Sequence, residues 1–185
     1  MWGFWRCAAG AADGGGTVDA LVEAFDFLAR GGHPPVVMNA RRLRLLLSLY
    51  PPLWGAGIAV RRVSPDFRQV DVEMKLRVWN RNYVGTHYGG SLYSMTDPFY
   101  MLMLVENLGR DFVVWDRAAS IRFKRPGRGT VRAEFRLSKE RLASIRSEAI
   151  EQGKVRPRFQ VLVQDGEGEL IAEVEKELSV RWKGQ

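Results

Sequence analysis

Residues 91–108, SLYSMTDPFYMLMLVENL, have the length of a helix, are apolar on nearly every side, carry no basic residue and stop at Gly109. A helix that is apolar all round has to be covered all round. The flanking segments supply the cover, because there the hydrophobic period is 2. Val70, Val72, Met74, Leu76 and Val78 alternate with Asp71, Glu73, Lys75 and Arg77, predicting a long half-buried strand, and Ile58 and Val60 predict a shorter one before it. Downstream, Ala119, Ile121 and Phe123 alternate with Ser120, Arg122 and Lys124, and Val131, Ala133, Phe135 and Leu137 with Arg132, Glu134 and Arg136. Phe159, Val161 and Val163 lead into the turn signal Asp165-Gly166, and Ala172, Val174, Leu178, Val180 and Trp182 mark the last strand. Ser138 to Gln152 reads as an amphipathic helix with Leu142, Ile145 and Ala149 inward and Gly153 as its stop. One apolar helix among roughly six antiparallel strands predicts an α+β fold in which a sheet wraps around a central helix.

The chain is 185 residues long, a length suited to one domain with an appendage. Ahead of the strands, Asn39 can cap a helix with Leu43, Leu46, Leu47 and Tyr50 apolar, ended by Pro51-Pro52. Residues 1–35 read as an N-terminal extension. A loose leader ends in Gly14 to Gly16, and a short helix capped by Thr17 runs to about Arg30, with Leu21, Phe25 and Leu28 on one stripe. The leader lacks the basic start and apolar centre of a secretory signal. The most apolar stretch, Phe99 to Val105, is far short of the ~20 residues of a membrane span. A single cysteine, Cys7, excludes an internal disulfide framework and, with only two histidines, leaves little for a structural zinc site; together these features predict a cytoplasmic protein without a metal or other cofactor. The net charge is +7, and since Arg6 and Arg30 face Asp13, Asp19, Glu23 and Asp26 before Met38, all of the excess lies after it. Such a charge points to a polyanionic partner: nucleic acid, anionic lipid or a phosphorylated small molecule.

Just before the apolar helix lies Asn82-Tyr-Val-Gly-Thr-His-Tyr-Gly-Gly90, and Asp97 follows seven residues after Gly90. Backbone amides at a helix N-terminus are unpaired donors able to hold an anion or a developing oxyanion, and glycine lets a ligand carbonyl approach them. An Asp on an otherwise apolar helix is costly unless paired or used. The plain structural alternatives are an N-cap followed by Pro98 at the first helical position, a tight turn at Gly89-Gly90 and a hydrogen-bonded structural role for His87.

The run Asn82-x-x-Gly85-x-x-x-Gly89-Gly90, with an acid eight residues after Gly89, resembles the hotdog-fold thioesterases, the phenylacetyl-CoA type of acyl-CoA thioesterase in particular. Ala119-x-Ile121-x-Phe123-x-Arg125-Pro126-x-x-Gly129 is similar to that family's third strand and following turn, and the order of two strands, a buried helix and four strands agrees. The resemblance runs from about Pro52 to Lys183, so the chain divides into an extension (1–35), a leading helix (36–52) and a hotdog domain (53–185). It implies an acyl-CoA substrate and a homodimer or homotetramer with sites between subunits. Asp97 would be the general base or nucleophile that brings water onto the thioester carbonyl. Gly89 and Gly90 amides would polarise that carbonyl, Asn82 would position the water or the carbonyl, and His87 would stand by them. Where the family has His immediately before the glycine pair, this chain has Tyr88, with His87 one residue earlier. A subgroup of bacterial thioesterase-like proteins of uncharacterised function is similar in its His-x-Gly form and Asp-Pro pair.

Arg117, Arg122, Lys124, Arg125 and Arg128 form a basic run with no acid until Glu134. Under this resemblance Lys124, Arg125 and Arg128 are candidates for gripping the phosphates of coenzyme A, with Tyr88 beside the substrate. For Arg122 an ordinary solvated strand face is the better reading, as it is for Glu167, Glu169, Glu173, Glu175 and Glu177; Met95, Met101 and Met103 read as core. The competing functions are a hotdog hydratase or dehydratase using His87, and a non-catalytic module binding acyl-CoA or nucleic acid. Asn82 cannot replace the acid of a hydratase, and the basic run lacks the interleaved exposed aromatics of a nucleic-acid surface. A serine nucleophile elbow, a P-loop and a zinc-protease helix are all missing from the sequence.

Overall fold

The structure, a computed structural model, describes residues 39–184, which lie in one unit, Met38–Gln185. The helix expected over 17–30 lies outside the described residues. Helix α1 (Ala40–Leu49) is capped as its sequence predicts, the Asn39 carboxamide oxygen accepting from Arg42 N at 2.9 Å, and it buries Leu43, Leu46 and Leu47. Pro51 and Pro52 do more than end it. They occupy the first positions of a further turn, α2 (Pro51–Gly55), where a missing N–H is harmless.

Strands β1 (Ile58–Val63) and β2 (Gln69–Lys75) form an antiparallel hairpin. The alternation in the sequence carries β2 on to Val78, but the strand ends at Lys75. The reason is Asn80, whose buried side chain accepts from Arg77 N at 2.7 Å and donates to Lys75 O at 3.0 Å and Ala56 O at 3.1 Å, curling the chain out of the sheet and leaving Val78 and Trp79 exposed. The central helix is likewise not continuous. Helix α3 (Gly89–Ser94) and helix α4 (Phe99–Leu108) are separated by Met95–Pro98, because Pro98 has no N–H to offer the preceding turn. The chain tightens there instead, Thr96 N bonding Tyr93 O at 2.9 Å and Asp97 N bonding Ser94 O at 3.3 Å.

The remaining elements are β3 (Phe112–Phe123), β4 (Thr130–Arg136), α5 (Lys139–Gln152), β5 (Lys154–Val155), β6 (Arg158–Asp165) and β7 (Leu170–Trp182). Ser138 caps α5 by accepting from Arg141 N, and Gly153 ends it in the left-handed region at φ 72°. The seven strands pair antiparallel in the order β1-β2-β4-β6-β7-β3, with the two-residue β5 joining β7 off this path. Strand β3 begins at Phe112, well before the alternation from Ala119 that betrays it; a bulge between Asp116 and Ala118 shifts the register, so no single alternation runs through the strand. Helix α4 is covered as its apolar character demands. Phe99 packs on Phe135 of β4 at 4.9 Å, Tyr100 stacks on Phe159 of β6 at 4.2 Å, and Met103 and Leu104 join Val72, Val131, Val163 and Val174 in the core. Among the described residues no helix is long and apolar enough to cross a membrane.

Candidate active site

Asp97 stands in the break between α3 and α4. Helix α4 opens on Pro98 without any side-chain cap, so the Asp97 carboxylate is not spent as one. It is engaged instead by Lys176 from the middle of β7. The Lys176 Nζ donates to Asp97 Oδ1 at 2.9 Å, to the Asp97 carbonyl oxygen at 2.6 Å, and pairs with Asp116 Oδ1 of β3 at 2.9 Å; the Lys176 side chain is 0% exposed and that of Asp97 47%. The ring of Tyr93 lies 5.9 Å from the same ammonium. Burial works against the charged form of Lys176, but Asp116 and Asp97 outweigh it and hold the ammonium above the ordinary lysine value. Burial pushes the Asp116 carboxyl up despite Lys176. It also pushes up the Tyr93 phenol, helped by the negative charge of Asp97. The Asp97 side chain is thus held from inside by Lys176 while remaining half exposed, so water can reach its carboxylate.

Gly89 and Gly90 are the first two residues of α3, so their amides have no acceptor within the helix. Two exposed aromatic rings close over them. A Cβ on Gly89 would meet Cζ of Phe123 at 3.0 Å, and one on Gly90 would meet Cε1 of Tyr88 at 2.5 Å. The loop that delivers this pair is built by Asn82 and His87. Asn82 Oδ1 accepts from Val84 N at 3.1 Å and Thr86 N at 3.0 Å, while Nδ2 donates to Thr86 Oγ1 at 2.9 Å. His87 is 3% exposed; its Nε2 donates to the Gly129 carbonyl at 3.1 Å and its backbone N to the Gly127 carbonyl at 3.0 Å. Burial holds the imidazole below its ordinary value. Both residues are thus fastened within the loop and its neighbouring turn, and neither side chain is brought to Asp97.

The basic run is largely answered by β7. Arg117 pairs with Glu177 at 3.3 Å, Arg122 with Glu175 at 3.0 Å, Lys124 with Glu173 at 3.1 Å, and Arg125 with Glu169. Of the glutamates that read as a solvated face, Glu169, Glu173, Glu175 and Glu177 are therefore one side of a surface ion-pair ladder. Arg128 has no ion pair among the described residues.

Sequence reasoning overlooked Asp116 and Lys176. The signal for Lys176 was present: it occupies the inward position between Val174 and Leu178, where the alternation of β7 calls for an apolar side chain. Asp116 was hidden by the bulge that follows it.

No curated protein matches this chain. Among solved structures, it is similar to a protein of unknown function from Pseudomonas aeruginosa described as a probable thioesterase: 25% identity, 82% of this chain and 99% of that one covered, TM-score 0.70. It shares the fold of a thioesterase from Haemophilus influenzae at 15% identity, with 80% and 94% of the two chains covered and a TM-score of 0.58. The profile of a domain of unknown function, DUF4442, matches residues 39–180. With the sheet, the central helix and these neighbours in agreement, the chain belongs to the DUF4442 family, a hotdog-fold, thioesterase-like family.

Proposed function

We propose that the protein is an acyl-CoA thioesterase whose active site is shared between two copies of the chain. The observation that carries this reading is the Asp97 carboxylate, open to water on one side and held by a buried ammonium on the other, on the same broken helix as an amide pair with no helical acceptor. The Asp97 carboxylate takes a proton from water as the water oxygen adds to the thioester carbon. The C–S bond then breaks, and the departing coenzyme A thiolate takes up that proton, leaving the free acid and the thiol. The Gly89 and Gly90 amides receive the oxyanion in between. Asn82 and His87 serve the site by fixing the loop that presents those amides. A hydratase would need the His87 ring at the substrate, and its burial against Gly129 argues for hydrolysis instead.

The amides stand at the start of α3, whereas Asp97 lies beyond its end, in the break before α4. In the proposed site the amides of one chain work with Asp97 of another. Strand β3 offers the means of pairing: among the described residues it is a twelve-residue edge bonded only to β7, and residues 115–120 are exposed on both faces, Trp115 among them. Such an edge invites a second copy to continue the sheet across a two-fold axis. Tyr88 and Phe123 supply apolar walls for the acyl or aryl group beside the amides, and Arg128, without an ion pair among the described residues, meets a coenzyme A phosphate. Lys124 and Arg125 would exchange glutamate for phosphate. Thiol release from a panel of aliphatic and aryl CoA esters tests the reading: turnover is expected with at least one, and Asp97→Asn abolishes it in a folded protein. No turnover across the panel, or a fully active Asp97→Asn, overturns it.

A further inference from the structure

We propose that Lys176 is a positioning residue of this site, holding the Asp97 backbone and carboxylate in one orientation, with Asp116 as the counter-carboxylate that satisfies the third bond of the ammonium. The inference rests on the reading of Asp97 as the base. An ammonium is an expensive way to fill an inward strand position, since taking it out of water costs several kcal/mol unless its partners are well placed. Here they are. Nζ has three protons and meets three acceptors, at 2.6, 2.9 and 2.9 Å. Two of the three belong to Asp97, and they are of different kinds. One is the main-chain carbonyl, which lies just ahead of Pro98 O, the acceptor for Leu102 N at the start of α4, and the other is Oδ1 of the side chain. Holding both fixes the backbone of the break and the rotation of the carboxylate about it, so that Oδ2 has one direction to face.

The charge count is as specific as the geometry. The groups that face Lys176 are Asp97 from the break, Asp116 from β3 and Tyr93 from α3; across β6 its register partner is Phe159. The adjacent Glu175 and Glu177 pair with Arg122, and with Arg117 and Arg158. Two carboxylates thus share one ammonium. Removing the ammonium leaves the Asp97 carbonyl and carboxylate without the donor that fixes them, beside a second negative charge. A lysine that merely filled space could be replaced without reorienting Asp97.

The test compares Lys176→Met, Lys176→Arg and Asp116→Asn with the wild-type chain in two measurements: kcat and KM for a CoA ester, and the orientation of Asp97 in crystal structures of the variants, which needs no turnover. Lys176→Met is expected to lower kcat about a hundredfold through misplacement of the base, with KM nearly unchanged, and to release the Asp97 side chain from its single orientation. Lys176→Arg, which keeps a charged donor, should recover part of that loss, and Asp116→Asn should lower kcat by about tenfold, the worth of a charged hydrogen bond. Unchanged kcat in Lys176→Met overturns the proposal. If the wild-type chain hydrolyses no CoA ester, the thioesterase reading fails by itself. The crystal structures then decide the positioning role, a reoriented Asp97 supporting it and an unmoved one overturning it. Should Lys176→Met not fold, Lys176→Arg and Asp116→Asn carry the decision, since wild-type kcat and an unmoved Asp97 in both refute it.

Discussion

Replacing Gly89 by proline would remove one hydrogen atom that matters and little else. Gly89 is the first residue of α3, the helical position at which proline is best accommodated. The residue before it, Tyr88, already has φ −65° and ψ 129°, the extended conformation that a following proline requires. The backbone can therefore accept the ring, and the change in stability should stay within about 1 kcal/mol. The added Cβ meets only the tip of the exposed Phe123 ring, at 3.0 Å, which can yield by a few tenths of an ångström. What is lost is an amide donor. If that amide holds the oxyanion, kcat falls about a hundredfold to a thousandfold, roughly 2.7 to 4 kcal/mol of transition-state stabilisation, while KM changes little. Gly89→Ala is the matched control: it brings the same Cβ against Phe123 but keeps the N–H, and its kcat should stay within about threefold of wild type, less than 1 kcal/mol. Steady-state release of free thiol at saturating ester, with thermal melts of both variants, gives the comparison. Equal kcat values for the proline and alanine variants would refute the assignment, because the only difference between them at this site is the donor.

A mixed dimer tests the division of the site. Asp97→Asn and Gly89→Pro should each be inactive alone, yet co-expressed chains pairing at random should recover about a quarter of wild-type turnover, because half the dimers then contain one intact site of two; activity no higher than the parents would place the whole site within one chain. Arg128→Glu should raise KM for a CoA ester by about tenfold, the worth of a charged hydrogen bond, while leaving the hydrolysis of a short thioester without phosphates unchanged; equal effects on both esters would remove Arg128 from phosphate binding. The His87 ring is held below its ordinary value of 6.5 by burial. Between that depressed value and 6.5 the unfolded chain therefore binds the extra proton, and stability rises with pH through this window and levels off above it. The urea midpoint should accordingly fall from pH 7 to pH 5 by more in the wild-type chain than in His87→Gln, and identical pH dependence of the two would show that the ring does not titrate as its burial requires.

What the sequence disclosed and what it withheld divide along the reach of the interactions. Elements set by neighbours in the chain were legible: the Asn39 and Ser138 caps, the Gly153 stop, the Asp165-Gly166 turn and the alternation of β2 and β4 are all written within a few residues of where they act. The features missed depend on partners far away. The end of β2 is decided by Asn80 reaching back to Ala56, the pairs of Arg117 and Arg122 by the register of β3 on β7, and the setting of Asp97 by a lysine 79 residues downstream. Asp97 itself could be picked out because a carboxylate on an apolar helix demands an explanation; that the explanation is Lys176 could be suspected only by asking the same question of an inward position in β7. Pro98 was the other local clue, and it acts by breaking the helix rather than by opening one beneath a capping aspartate.

The same long-range contacts decide how the labour of the proposed reaction is divided. The loop that carries Gly89 and Gly90 is keyed to the turn that carries Arg128: His87 bonds the carbonyls of Gly127 and Gly129, and Leu76 at the end of β2 bonds Gly129 as well. Gly127 is packed so closely that a Cβ there would stand 2.9 Å from Ile171 and 3.3 Å from the His87 ring. Amide pair and Arg128 therefore move together as parts of one chain. Asp97 is fastened to β3 and β7 through Lys176. In the proposed site one chain would grip the coenzyme at its phosphate and polarise its thioester, and the partner would bring the water. In that arrangement the positive charge that dominates the composition is not spread over the site. Glutamates of β7 absorb most of the run from Arg117 to Arg125. Beyond that run, Arg128 has no ion pair among the described residues, and in the proposed site one carboxylate stands in excess at the water end, a polarity that suits an anionic leaving group being drawn away from the base that releases it.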